Sequence, residues 1–444
     1  MSTAAGRTHW WIGLDRSHWK AMLGSWLGWA LDGFDFILIT YVLTDIANTF
    51  HVSLAATGTL VLAAFATRWL GGATLGSIAD RLGRKKAMII GILTYSVGTF
   101  LCGISWDYWS LMVFRLLVGF GMGGEYSAGT TLLLETWPVR MRNKASGFLV
   151  SGWAIGGLLA SAVYAPIVMS FGWRALFFVG ILPAFLAVYV RRAMSETPEF
   201  TQALENASAD LPKVSFFKLF SRRWLPMTLI MFVMMFANFG MNWPVLSLLP
   251  TYLKTIGYAP AAVGSLMFIA SFGALLGYWF SGFLADWIGI RWAFTATLLV
   301  SLVFIALTFS TAGLGSEFVL GVLLFALQFT NLGITGLLPQ YITEHFGVEV
   351  RAAGLGVTYN LGAIAGGLSP IWGALIGDAV GLGPAIAILT LFWTLVVTVI
   401  IGFRIPAVIA RRTGISNSLP PTPEALAGKD SGGSLPGGSF AANS

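Results

Sequence analysis

The chain is short of charge. Of its 444 residues, 10% are Asp, Glu, Lys or Arg and 56% are hydrophobic, where a soluble domain carries about 25% charged residues. A soluble globule is excluded, and the mean hydropathy of +0.78 points to a polytopic helical membrane protein. A single cysteine, Cys102, excludes an internal disulfide and leaves the redox compartment open. Four histidines, all expected outside the apolar runs, leave no metal cluster. No GxxxxGK[ST] motif is present to bring ATP, and no nucleophile–base arrangement points to an enzyme. No cofactor is expected. Residues Met1–Lys20 lack a signal-peptide core, so the first apolar segment is expected to remain as an anchor.

Apolar segments are plentiful. Twelve runs approach the roughly 20 residues that cross a bilayer: 22–44, 57–79, 87–105, 109–134, 145–169, 173–190, 225–251, 260–284, 292–311, 317–340, 353–377 and 383–403. The expected fold is all-α, with twelve transmembrane helices in two pseudo-symmetric six-helix halves. Residues 1–21 form a cytoplasmic N-terminus, 22–190 the first bundle, 191–223 a cytoplasmic central loop and 224–404 the second bundle. The Ser-, Gly- and Pro-rich stretch 405–444 reads as a disordered cytoplasmic tail.

The net charge of +7 does not point to nucleic acid, because the bases sit in short loops. With the N-terminus inside, 22 of the 26 Lys and Arg residues face the cytoplasm and only Arg174 and Lys254 the other side. That bias places both termini inside an inner (plasma) membrane. The remaining two, Arg68 and Arg115, lie within spans.

The chain also repeats itself. Gly71, Gly76, Asp80 and Gly83 recur 206 residues later as Gly277, Gly282, Asp286 and Gly289, while Arg142 and Gly147 recur 209 residues later as Arg351 and Gly356. Nearly equal offsets in two unrelated sets indicate duplicated halves of the same topology.

Gly76-Ser-Ile-Ala-Asp80-Arg81-Leu-Gly83-Arg84-Lys85 resembles the loop signature of the major facilitator superfamily, and Gly282-Phe-Leu-Ala-Asp286-Trp-Ile-Gly289-Ile-Arg291 is its weaker copy. Arg115-Leu-Leu-Val-Gly119-Phe-Gly121 resembles the family's span-four motif. Within the superfamily the chain is similar to the sialate:proton symporters up to about residue 405. The likeness runs through Leu31-Asp32-Gly33-Phe34-Asp35, Gly123-Gly124-Glu125-Tyr126, Leu249-Pro250-Thr251-Tyr252 and Thr358-Tyr359-Asn360. Unlike the sialic acid members, it has no pair of extra hydrophobic segments in the central region.

Five ionisable residues stand out in the apolar runs: Asp32, Asp35, Arg68, Arg115 and Glu125. Intramembrane charge is expensive and functional by default. Asp32 and Asp35, three residues apart, share one helix face and could share one proton. Asp32, Asp35 and Glu125 are the candidates for the coupling proton. Resemblance to the superfamily motif implies a proton-transfer role for Arg115, with a structural pairing as the alternative. Arg68 offers a forked donor set for a substrate carboxylate or, equally, a structural pair with Asp32, Asp35 or Glu125. Tyr126, Asn238, Asn242, Trp243, Gln328, Asn331, Gln340, Tyr359 and Asn360 supply polar or aromatic groups, some expected to bond substrate hydroxyls and others to join helices.

Resemblance implies that Asp80 caps a helix of the other half, alongside Gly76, Arg81, Gly83 and Arg84, with Asp286, Gly289, Arg142 and Arg351 in the repeated positions. Glu135 is placed to pair with the bases at the inner end of span four. Gly152/Gly156 and Gly362/Gly366 occupy equivalent places and allow close helix approach.

The expectation is a proton-driven symporter of a small organic acid, a monomer whose partners are the acid, protons and the bilayer. Sialic acid is favoured. A lactate- or pyruvate-type monocarboxylate or an aromatic acid is the runner-up, and a non-transporting sensor is the rival from another class.

Overall fold

Backbone groups in hydrocarbon have no water to bond, so apolar runs of this length satisfy themselves by coiling. The protein is described here by a computed structural model, which covers residues 14–82, 84–123, 130, 133, 137–181, 185, 216–314, 316–347 and 350–415. In the first half of the chain the helices are α1 (Arg16–Tyr41), α2 (Leu43–Phe50), α3 (Leu54–Leu82), α4 (Arg84–Gly103), α5 (Tyr108–Met122), α6 (Arg142–Phe171) and α7 (Arg174–Val179). In the second they are α8 (Leu225–Thr255), α9 (Pro260–Ile288), α10 (Ile290–Thr311), α11 (Glu317–Thr330), α12 (Leu338–His345), α13 (Arg351–Gly362), α14 (Ile364–Val380), α15 (Leu382–Gly402) and α16 (Ile405–Arg412).

Among the described residues nine segments are long and apolar enough to cross a membrane, and Ile89–Gly103 and Tyr108–Met122 are shorter apolar helices. The expected span 173–190 lies largely outside the described residues.

Several boundaries differ from the expectation. The first span ends at Tyr41, and a separate helix, α2, follows. Spans ten and eleven are each broken. A 3₁₀ segment, Gly333–Leu337, separates α11 from α12, and Ala363 separates α13 from α14. Both breaks fall in glycine-rich sequence of low helix propensity. The tail is not irregular throughout: Ile405–Arg412 is helical, with Pro406 in the first turn and Pro406 and Ala410 buried. His18 begins one candidate span and His345 ends another, at the margins of the apolar runs, because α1 and α12 extend past those runs.

The glycines explain how the helices approach. A Cβ on Gly152 would lie 2.5 Å from the Trp26 carbonyl oxygen, and one on Gly156 would strike the backbone of Ala30 and Phe34, so α6 seats directly on α1. In the second half a Cβ on Gly362 would lie 2.6 Å from the Met235 Cβ, and one on Gly366 would lie 2.8 Å from Trp243 Cδ1. Gly71 likewise abuts Phe120, and Gly277 abuts Phe329. The sequence repeat is thus a repeat of packing. The halves meet where α6 packs on α9, α3 on α14 and α1 on α8.

Gly156→Val should cost about 1–3 kcal/mol through overpacking and lower the melting temperature in detergent. Gly402→Ala, whose Cβ would sit 3.6 Å from the nearest Thr295 atoms, should not lower it. Equal melting temperatures for the two variants would refute the close-approach role.

Candidate functional site

At the junction of the two halves, residues from α1, α3 and α6 face residues from α8, α9, α12 and α13 around a cavity of about 60 Å³. Its wall is aromatic: Trp29, Phe65, Trp153, Phe239, Trp243, Tyr278 and Tyr359 all line it. The rings interlock. Phe65 and Trp243 stand edge to face at 4.8 Å, Phe239 and Tyr359 at 5.1 Å, and Phe36 lies 4.6 Å from Phe65 and 5.1 Å from Trp243. The polar residues in the lining are Arg68, Asn238, Asn242 and Thr335, besides the tyrosines. Binding sites for drug-sized ligands enclose about 300–1,000 Å³, so a substrate larger than a few waters needs the halves to separate.

Arg68 is 2% exposed. Its Nη2 donates to Asp32 Oδ2 at 3.4 Å, and its Cζ lies 5.6 Å from the centre of the Tyr359 ring. Among the described residues its Nε has no hydrogen-bond partner. An N–H···O bond between charged groups is ordinarily about 2.7–2.9 Å, so this pair is loose. Asp32 lies behind Arg68, which forms the cavity wall.

Asp35 turns elsewhere. Thr99 of α4 donates to its Oδ2 at 3.0 Å, and its Oδ1 has no hydrogen-bond partner among the described residues. Arg115 is fully buried nearby, with Asp35 and Cys102 within electrostatic reach. The Arg115 Nε donates to the Leu60 carbonyl at 3.4 Å and its Cζ lies 5.3 Å over Phe36, while neither Nη atom has a hydrogen-bond partner among the described residues. The described hydrogen-bond partners of Asp32 and Asp35 differ, Arg68 for one and Thr99 for the other. Each faces its own arginine.

Both ends of the junction carry polar ties between the halves. On the face of the basic loops, Asp286 of α9 pairs with Lys144 and accepts from Asn143 Nδ2 at 2.9 Å, both in the first turn of α6. A carboxylate at a helix N-terminus meets free N–H groups and the positive end of the dipole. Gly289 follows in a left-handed conformation (φ 82°) that ends α9 and starts α10. In the same region Glu344 accepts from Gln340 at 2.6 Å, with Arg142 and Arg351 within electrostatic reach, and Arg351 Nε donates to the Thr343 carbonyl at 3.0 Å. On the opposite face Lys254 donates to Asp45 Oδ2 at 2.7 Å, the Tyr41 carbonyl at 2.8 Å and Thr44 Oγ1 at 3.2 Å.

The structure therefore sorts the expected residues. Arg68, Asn238, Asn242, Trp243 and Tyr359 line the cavity. Asn331 does not: its Nδ2 donates to Ser301 at 3.0 Å and Thr394 at 3.1 Å, joining three helices. Gln328 is buried on the same helix, away from the lining, and Asn360 bonds the Gly356 carbonyl at 2.9 Å beside the cavity wall. Gly83, Glu125, Tyr126 and Glu135 lie outside the described residues, as do the side chains of Asp80, Arg81 and Arg84 and the surroundings of Gly76. Sequence reasoning did not find Trp29, Phe65, Trp153, Phe239, Tyr278 or Thr335 as wall residues, nor the Lys254–Asp45 tie. Nothing local distinguishes a cavity aromatic from an interfacial one.

The fold and the buried charges define a class. The family model described as Major Facilitator Superfamily matches residues 25–370, and the chain belongs to that superfamily. It is a multi-pass membrane transporter and not an enzyme. The chain is 37% identical over 399 residues to the sialic acid transporter NanX of Escherichia coli (strain K12), covering 90% of this chain and 97% of that protein. It is 28% identical over 391 residues to the niacin transporter NiaP of Acinetobacter baylyi, covering 81% and 87%. The crystal structure of a D-xylose–proton symporter superposes with a TM-score of 0.66 at 18% identity, covering 85% of this chain and 97% of that one, a likeness of fold.

Asn331→Ala should lower stability by about 0.6–2 kcal/mol, the range for interhelical hydrogen bonds in membranes, and leave the apparent KM for transport unchanged. A raised KM with unchanged melting would place Asn331 in the binding site after all.

Proposed function

We propose that the chain is a proton-coupled symporter that imports a small organic acid across the inner membrane, with sialic acid the favoured substrate. It works by alternating access of two six-helix halves, twelve spans in all, with both termini in the cytoplasm. The observation that carries this reading is Arg68, a buried guanidinium in the cavity wall, loosely paired to Asp32 and with a donor to spare. A substrate carboxylate takes the outward side of Arg68. Two carboxylates on one guanidinium leave an uncompensated buried charge, so Asp32 accepts a proton as the substrate binds. Release reverses the exchange. Asp35, with Arg115 within electrostatic reach, is a second place where the coupling proton can reside, and Glu125 is a separate candidate. The likeness to NanX supports a sialic acid. The aromatic wall and the likeness to a niacin transporter support an aromatic acid as the second reading.

The deciding measurement is uptake of labelled sialic acid, lactate and nicotinate into proteoliposomes with and without an inward proton gradient. Accumulation of one of them only with the gradient is expected; gradient-independent uptake sinks the coupling. Asp32→Asn should abolish gradient-driven accumulation and spare counterflow exchange, whereas full accumulation would exonerate Asp32. Arg68→Lys keeps the charge and loses the fork, so the apparent KM for the anion should rise about tenfold or more. An unchanged KM means that Arg68 serves Asp32 alone.

A further inference from the structure

We propose that Asn242 sets the specificity of the cavity by accepting a hydrogen bond from a hydroxyl or amide N–H of the transported acid; this rests on the reading that the acid's carboxylate sits on Arg68. Asn242 is 4% exposed and lines the same cavity as Arg68. Its Nδ2 is committed: it donates to the Asn238 backbone carbonyl at 2.9 Å and to Asn238 Oδ1 at 3.3 Å. A backbone carbonyl only accepts, so turning the amide over would set oxygen against oxygen. The orientation is therefore fixed by chemistry, and Oδ1 is the end left over. Among the described residues it has no hydrogen-bond partner.

A buried carbonyl without a donor costs about 1–3 kcal/mol. A substrate seated beside it satisfies this oxygen only by bringing a donor. Arg68 and Asn242 thus present opposite polarities in one aromatic chamber, a spare donor on one and a spare acceptor on the other. The ligand that matches both is a carboxylate bearing a donor. A hydroxy acid or an N-acyl amino sugar acid qualifies. A plain aliphatic or aromatic monocarboxylate satisfies Arg68 and leaves Asn242 dry. Such discrimination is the kind that buried polar groups give and apolar pockets do not.

The test is binding to the purified full chain, followed by quenching of tryptophan fluorescence, since Trp153 and Trp243 stand in the wall. The probes are N-acetylneuraminic acid, its single-deoxy analogues, and the pair lactate and propionate. In the unaltered protein at least one donor-lacking probe should bind about tenfold more weakly than its parent. In Asn242→Leu and in the smaller Asn242→Ala, the parent should fall to the level of that probe, closing the gap to within about twofold. A gap that persists in whichever variant remains monodisperse overturns the proposal and leaves the acid-transport reading standing. So does the absence of any gap in the unaltered protein. If no carboxylate binds at all, both readings fall together.

Discussion

A guanidinium held out of water is the constraint around which the junction is arranged. Arg68 cannot shed its charge, and leaving it unpaired in a low-dielectric interior costs several kcal/mol. Its compensation comes from two other helices: Asp32 on α1 and the face of Tyr359 on α13. One belongs to the first half of the chain and one to the second. Neutralising Arg68 therefore draws the halves together at mid-membrane, and the aromatic rings close over what remains. At 3.4 Å the ion pair is loose enough to be challenged. A tight bidentate pair would satisfy the arginine fully and leave nothing for an incoming anion.

The ties at the two ends differ in kind from this central pair. Lys254–Asp45 and Lys144–Asp286 are part-exposed, with Asp45 at 34% and Asp286 at 23%. Ion pairs of that exposure contribute about 0–1 kcal/mol each. They are strong enough to bias which face is shut and weak enough to be broken by a modest gain elsewhere. Glycine packing is tighter than these ties. It brings α6 onto α1 and α13–α14 onto α8 within the halves, and through Gly147 and Gly282 it also seats α6 on α9 between them. Rocking about a central site must therefore part the α6–α9 contact as well as the ion pairs.

Much of this was legible in the sequence, and the limits have physical causes. A charge in an apolar run is visible because the bilayer penalises it wherever it points. The duplicated glycines and aspartates are visible because the same packing problem is solved twice. The different partners of Asp32 and Asp35 were not legible. Three residues turn a helix through about 300°, leaving the two carboxylates about 60° apart. Where a helix sits in a corner between two others, that angle separates Arg68 on α3 from Thr99 on α4. Asn331 was misplaced for a related reason. A buried amide joins helices or faces a cavity according to what stands opposite, and Ser301 and Thr394 are 30 and 63 residues away. The wall aromatics converge from helices more than a hundred residues apart, which no local pattern records.

Charge balance ties these features to a cycle. In the closed structure Asp32 faces Arg68, and Asp35 has Arg115 within reach, so the described interior of the first half holds two acids and two bases. On the proposed reading, a monoanionic substrate arriving at Arg68 makes the acids three. Restoring balance takes one proton, and Asp32 is the carboxylate from which the substrate takes its arginine. The loaded junction then carries the same net charge as the empty one, so that returning empty and crossing loaded meet the same electrostatic barrier. A carrier that bound the anion without the proton would cross with a buried charge costing several kcal/mol. Coupling, on this view, needs no separate device: it follows from placing one arginine between an acid that can be protonated and a cavity that admits another.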